Sequence, residues 1–204
     1  MKRVAAPKIL ALAGEKSGVG KSTLAIAVAV EWLHRGHRVL IVDADTQASA
    51  LTWAELAREH KAPPEVTPRV EALTGEALYD GLAALAEGYD VVVVDCAGRH
   101  DVTQRAALMV ADLALLPVRP GVFDTSAFAG SVELVSAARE ARRADRMPAL
   151  DAALVVSQRV PGTVLGRRVV RDVEALRVPV LEAQVYLRIA HAKASASGLA
   201  PTTY

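Results

Sequence analysis

A doubly wound α/β fold, a mostly parallel sheet flanked by helices, is predicted by three features of this 204-residue chain. Short β-type apolar runs alternate with helix-length segments, the pattern of successive βα units. The runs are apolar almost throughout, as strands covered on both faces require. Between the first run and the first helix lies a glycine-rich loop, Gly14-Glu15-Lys16-Ser17-Gly18-Val19-Gly20-Lys21-Ser22-Thr23. Hydrophobic residues make up 52% of the chain, which excludes a disordered protein. Aromatics are only 4%, so the core must be built from Ala, Val and Leu. The single cysteine, Cys96, excludes a disulfide within the chain and is expected in a reducing cytoplasm, as a small core residue rather than a redox centre. The stretch Met1–Pro7 is too short and too polar for a signal peptide, and no apolar run approaches the length of a membrane span.

The elements follow in order. Strands are expected near 8–13, 38–43, 90–96, 112–118 and 151–157, with a shorter one at 178–182. Helices are expected at 21–35, 48–60, 76–87, 101–111, 124–145 and 163–176. Gly36 stands where a helix C-cap glycine should. Pro63-Pro64 and the Pro-Gly pairs at 120–121 and 161–162 mark loops. No linker and no internal repeat interrupts the series. The tail from Ser195 is small and polar and is expected to fray.

The glycine-rich loop sits in the strand–loop–helix context of a phosphate-binding P-loop. Gly18 and Gly20 allow successive backbone N–H groups to turn inward around phosphate oxygens. The helix that follows adds its positive N-terminal end. Lys21 supplies a cation for the β- and γ-phosphates, and Ser22 a hydroxyl for Mg2+. Ser17, Val19 and Thr23 complete the segment around the nucleotide. At the end of the second strand come Asp43 and Asp45, two carboxylates beyond a strand's carboxyl end, where ligands of open α/β sheets bind. A plain helix cap would need one carboxylate. Val91-Val92-Val93-Val94-Asp95 reads as a Walker B strand, whose terminal carboxylate reaches Mg2+. Gly98, just beyond, permits close backbone approach to a γ-phosphate.

In detail the loop departs from the ordinary G-x-x-x-x-G-K-[ST] spacing. Glu15 stands at the first glycine, and a second lysine, Lys16, precedes Lys21 by five residues. This resembles the deviant Walker A loop of the ParA/MinD superfamily, K-G-G-x-G-K-[ST], with Ser17 at the first of its paired glycines. Asp43-Ala44-Asp45-Thr46-Gln47 resembles the superfamily's D-x-D-P-Q, with Thr46 at the proline, and Asp95-Cys96-Ala97-Gly98 fits D-x-A-G. Leu115 to Pro120, followed by Asp124, resembles its strand–P-x-x-P loop, although a structural loop explains that segment equally well. Val156-Ser157-Gln158-Arg159 resembles its strand ending in N-R beside adenine, with Gln158 at the Asn, although a structural loop explains that segment equally well.

The resemblance covers nearly the whole chain. It implies a P-loop NTPase of small ParA type, one ATPase domain over residues 1–204 with no N-terminal helix-turn-helix domain, using ATP and Mg2+. It implies that Asp43 supports the Mg2+ shell and that Asp45 orients the hydrolytic water. Lys16 would reach across a two-fold interface to the partner's ATP, so that ATP favours a homodimer and hydrolysis loosens it. It implies nonspecific DNA binding by that dimer, a nucleoid-associated cytoplasmic location, and a small ParB-like or cargo-adaptor protein that stimulates slow hydrolysis. The function implied is partitioning or positioning of a plasmid, chromosome or other large cargo.

Residues 139–177 carry nine arginines against five acids, although the whole chain is only +1. Arg139, Arg142, Arg143, Arg146, Arg167, Arg168 and Arg171 are therefore candidates for phosphate contacts with DNA. The alternative is a solvated helix face, since Glu140, Asp145 and Asp172 are interleaved. Two further function classes fit the sequence less well. A MinD-like membrane-cycling regulator would end in a basic amphipathic helix, and this chain ends Ser-Gly-Leu-Ala-Pro-Thr-Thr-Tyr, so no membrane partner is expected. A reductase component with a shared four-cysteine cluster would need two cysteines per chain, and a P-loop synthetase would need substrate-binding insertions that this length does not offer.

Overall fold

The structure is a computed structural model and describes residues 6–98, 102–121, 125–165, 169 and 178–203. Seven strands form one sheet: β1 Lys8–Leu12, β2 Val39–Ala44, β3 Arg69–Ala72, β4 Val91–Cys96, β5 Leu113–Val118, β6 Asp151–Arg159 and β7 Val180–Tyr186. Their spatial order is β3-β2-β4-β1-β5-β6-β7, and every pairing is parallel. The helices are α1 Lys21–His34, α2 Ser49–Glu59, α3 Ala77–Leu85, α4 Val102–Val110, α5 Thr125–Ala144 and α6 Ile189–Ala196. The expected helix over 163–176 lies largely outside the described residues, within which Val164, Leu165 and Val169 are helical.

The unbroken apolar strands are explained by their position. All six residues of β2 and of β4 are buried. Within β4, Val92, Val94 and Cys96 pack with Leu78, Leu82 and Leu108 of α3 and α4. Val91 and Val93 face the other way, onto a cluster with Leu24, Ile26 and Val30 of α1. The period-two alternation of a strand thus divides the core into two layers, one on each face of the sheet. Gly36, at a φ of 84°, ends α1 as expected. Its N–H and that of His37 return to the carbonyls of Leu33 and Trp32, the paired bonds of a Schellman motif.

Three features differ from the sequence expectation. β3 is an extra edge strand of four residues, polar enough at Arg69 and Glu71 to read as loop. β7 continues to Tyr186, and α6 follows it. The tail does not fray: Ala200 is fully buried in the α1 and α2 layer, and the Trp53 indole donates to the Leu199 carbonyl at 3.1 Å. Gly198 lies directly on the Ala57 backbone, where no side chain would fit. A small, weakly polar segment is what such close packing against a helix requires, so the same composition that suggested fraying serves docking.

Candidate nucleotide site

The site forms where the carboxyl ends of the central strands meet the start of α1. The loop 14–20 leaves β1 and turns into α1 at Gly20, which has a φ of 93° that a side chain would strain. A Cβ on Gly20 would also stand 3.1 Å from the Ser157 hydroxyl. A cleft of about 470 Å³ opens over this turn, bordered by Ser17, Gly18, Lys21, Ser22, Asp45 and Gly98. Thr23 and Gln158 also border it, so most of the expected nucleotide residues converge. A second cleft of about 480 Å³ continues past Gly20 and Thr23 to Ser157, Tyr186, Arg188 and His191. Ser195 of α6 borders both, so the two form one elongated groove.

Lys21 is 6% exposed, and its ammonium donates to the Lys16 carbonyl at 2.8 Å. Burial lowers its pKa, and the charge of Asp95 opposes that shift. Asp95 and Asp43 are register partners on β4 and β2 and lie side by side. Asp95 is fully buried, and apart from the adjacent Ser22 hydroxyl no donor among the described residues reaches its carboxylate. Burial pushes its pKa up to about 7, against the pull of the adjacent Ser22 hydroxyl, while the charge of Asp43 raises it further. A buried carboxylate with a single hydroxyl donor is costly unless a cation or its bound water completes it. Ser22, Asp95 and Lys21 therefore fit a Mg2+–phosphate group, with the hydroxyl and the carboxylate on the metal side.

Asp43 is held differently. One oxygen accepts from the Ala50 and Leu51 N–H groups at 2.9 Å, and the other from Asp45 N–H at 3.2 Å. It caps the first turn of α2, although Ala48 occupies the cap position itself. Burial still raises its pKa, with the three backbone donors opposing. The capping explanation thus applies to Asp43, whose carboxylate lies beneath the cleft. Asp45 stands at the cleft wall, half-buried, with one oxygen accepting from Gln47 N–H at 2.9 Å.

At the far side Gln158 adopts a φ of 54°, a strained conformation for this residue, and its amide donates to the Gly18 carbonyl at 2.8 Å. Arg159 turns away: its guanidinium pairs with Gln184 and lies 5.8 Å from the Tyr186 ring centre. Lys16 lies beside Arg119, and burial followed by that neighbouring charge lowers its pKa.

The arginine cluster divides. Arg142 is 4% exposed and donates to the carbonyls of Leu108, Ala111 and Pro148 at 2.8, 2.6 and 2.9 Å. Its expected role as a phosphate contact is corrected: the guanidinium closes the C-terminal end of α4 inside the molecule. Arg139 donates to the Leu150 carbonyl at 2.9 Å and is half-buried. Arg143 and Arg146 are exposed. Arg167, Arg168 and Arg171 lie outside the described residues.

Sequence reasoning missed Gln104, Ser131, Ser157 and the groove residues of α6. Gln104 had a signal, since it shares a helical face with Ala107 and Leu108 and is therefore a polar group aimed inward. The others depend on long-range contacts.

Residues 10–202 match the family model of the CobQ/CobB/MinD/ParA nucleotide-binding domain. The chain is 31% identical over 193 residues to maintenance of carboxysome distribution protein A from Halothiobacillus neapolitanus, covering 93% of this chain and 84% of that protein. It is 32% identical over 201 residues to the protein of the same name from Gloeobacter kilaueensis, covering 95% and 83%. The structure of the Cyanothece McdA–ATP complex superimposes with a TM-score of 0.75 at 14% identity, over 98% of this chain and 90% of that one.

Proposed function

We propose, from the premise that this chain belongs to the CobQ/CobB/MinD/ParA nucleotide-binding family, that it is a ParA-type positioning ATPase whose nucleotide-dependent dimer moves a large cargo. It hydrolyses ATP to ADP and phosphate with Mg2+ as cofactor. Relatives named for carboxysome distribution support a cargo of that scale, a large protein assembly or a DNA molecule. The observation that carries the reading is one cleft lined by Gly18, Lys21, Ser22, Asp45 and Gly98, with the buried Asp95 carboxylate next to the Ser22 hydroxyl. Such a carboxylate has a use in a site that takes up a cation with its nucleotide.

Bound Mg2+ would draw charge from the transferring phosphoryl group. The chain's own residues do the rest. The loop N–H groups and the α1 N-terminus hold the phosphates, and Lys21 exchanges the Lys16 carbonyl for phosphate oxygen. Asp95, with Ser22, fixes the metal side, and Asp43 keeps the α2 turn in place beneath it. Asp45 orients the attacking water. Gln158 orders the loop at Gly18 and walls the base end of the groove. Lys16, on the solvent side of the loop, serves the nucleotide of a second copy. ATP then favours the dimer and hydrolysis releases it, a shift set by differential affinity for two states. Nonspecific DNA is the proposed track, and a small adaptor protein the proposed stimulator of hydrolysis. Among the described residues no helix is long and apolar enough to cross a membrane.

Light scattering with Mg2+ and ATP tests the reading, with phosphate release measured in parallel. The parent should double its mass with ATP. Lys16→Gln, which keeps a donor but loses the charge, should bind ATP and stay monomeric. A parent that hydrolyses ATP without any change of mass would remove the dimer from the reading, and a Lys16→Gln variant that dimerises would remove Lys16.

A further inference from the structure

The half of the loop that carries Lys16 is gripped from outside itself. The Gly14 N–H donates to the Gln104 carboxamide oxygen at 2.6 Å, and the Gln104 side chain is fully buried. The Glu15 N–H donates to the Ser131 hydroxyl at 3.1 Å, and Ser131 is 6% exposed. The Glu15 carboxylate rests directly on Gly130, occupying the space a side chain there would need. The Ser17 backbone lies against Gly98, 2.7 Å from where a Cβ would stand. By contrast, the half carrying Lys21 is fixed by α1 itself and by Gln158. Two different structures thus hold two halves of one loop. α4 begins a few residues after Gly98, and α5 follows the loop after β5, so both grips come from segments that leave the edge of the site.

We infer that Gln104 and Ser131 are positioning residues for Lys16: they set the path of Gly14 and Glu15, and through it the place of the lysine presented to a second copy. This rests on the proposed role of Lys16 in the dimer. A buried carboxamide is expensive to keep, and an apolar residue would serve the α4 face more cheaply if packing were its only purpose. Its oxygen accepts from a loop N–H that lies outside the ladder of β1 and the turns of α1. The next residue is anchored in the same way, from the other helix. Gly14, Glu15 and Ser17, which flank Lys16, are therefore clamped between α4, α5 and the Gly98 turn.

Gln104→Leu keeps volume and removes the acceptor, and Ser131→Ala removes the second with minimal change of shape. The split between nucleotide affinity and dimerisation is the readout that a merely structural role would not produce. Both variants should bind fluorescent ATP analogue with affinity within about twofold of the parent, because Lys21 leaves the Lys16 carbonyl for phosphate when ATP binds and its half of the loop is otherwise supported by α1 and Gln158. The ATP-dependent dimerisation constant should fall by about tenfold or more, the scale of losing one buried hydrogen bond. Ser131→Thr retains a hydroxyl acceptor for the Glu15 N–H and should restore most of the dimerisation lost in Ser131→Ala. Equal losses in affinity and dimerisation, or dimerisation unchanged in both single variants, would overturn the inference. Ser131→Ala carries the test alone should Gln104→Leu fail to fold. If the parent itself shows no ATP-dependent dimer, the proposed role of Lys16 is overturned, and this inference with it. If the parent dimerises and Lys16→Gln does not, only the grip is at issue.

Discussion

Asp95 shows how one residue's environment predicts behaviour. Its pKa rises from 3.8 to about 7 because burial outweighs the pull of the Ser22 hydroxyl. Between about pH 4 and 7 the unfolded chain has lost this proton and the folded chain has kept it. The folded state then binds more protons, so stability falls as pH rises through this window and levels off above about 7. For nucleotide-free protein in chelator, Asp95→Asn removes that slope. Its stability should overtake the parent's as pH rises, by up to about 4 kcal/mol at the plateau, read as a crossing of thermal midpoints. Identical pH profiles would mean that the carboxylate is ionised or hydrated in the folded protein. With Mg2+ and ATP the same variant should hydrolyse poorly. Asp45→Ala is a separate case. Asp45 is half-buried and holds only the local turn at Gln47, so the fold should be indifferent to its loss. ATP should bind with affinity near the parent's, while phosphate release falls by about a hundredfold or more, within the range for losing a positioned acid–base group. Turnover unchanged in a phosphate-release assay would remove Asp45 from the water.

At the level of elements, the arginines of α5 are told apart by what each touches. Arg142 closes α4: three carbonyls at the end of that helix and in the 145–150 connection depend on it. Arg142→Met should destabilise the protein by about 3 kcal/mol, the range for hydrogen bonds to a buried charge, through orphaned carbonyls rather than reduced volume. Arg143→Ala, on the exposed face of the same turn, should stay within about 0.5 kcal/mol. Chemical denaturation of the two variants decides this, and equal losses would refute the assignment. The sequence held one cue that separates them: Arg142 follows the buried Val135 and Ala138 at i+7 and i+4 of α5, and Arg143 does not. β1, β2, β4, β5 and β6 were legible because strands buried on both faces must be continuously apolar. β3 was not, because an edge strand is half-exposed and needs no such run. The end of β7 was hidden because it is a largely exposed edge strand with polar residues, and α6 and the tail after it by small residues whose packing partners lie more than a hundred positions away, as in the Trp53–Leu199 contact. Of the site, the loop, Asp45 and Asp95 were legible from local spacing. The donors that bind Asp43 to α2, and the grip of Gln104, arise only when separate segments meet.

For the molecule as a whole, the question is how a chain of nearly balanced charge would bind DNA only when ATP is present. The excess of arginine over acid is confined to residues 139–177, and Arg142 is withdrawn from it into the interior. Arg139 is partly engaged at Leu150, which leaves Arg143 and Arg146 exposed on the described surface. Arg167, Arg168 and Arg171 are the remaining candidates. Such a patch on one copy neutralises few phosphates and would hold DNA weakly at physiological salt. In the proposed dimer, two copies joined through their nucleotides would double it, and the binding free energies of two linked patches would reinforce one another. DNA affinity should therefore appear with ATP and be absent with ADP. Converting Arg167, Arg168 and Arg171 together to Glu should reduce ATP-dependent affinity for random-sequence duplex at least about tenfold, and should flatten the salt dependence by roughly 0.9 for each phosphate no longer neutralised. ATP affinity and the ATP-dependent doubling of mass should stay as in the parent. Fluorescence anisotropy at two salt concentrations, for parent and variant, measures the DNA terms, and light scattering the mass. Unchanged DNA affinity in the variant would move the contact to Arg143 and Arg146, to be tested by the same substitution there. A parent that dimerises with ATP yet binds no DNA at low salt would separate the motor from the nucleoid.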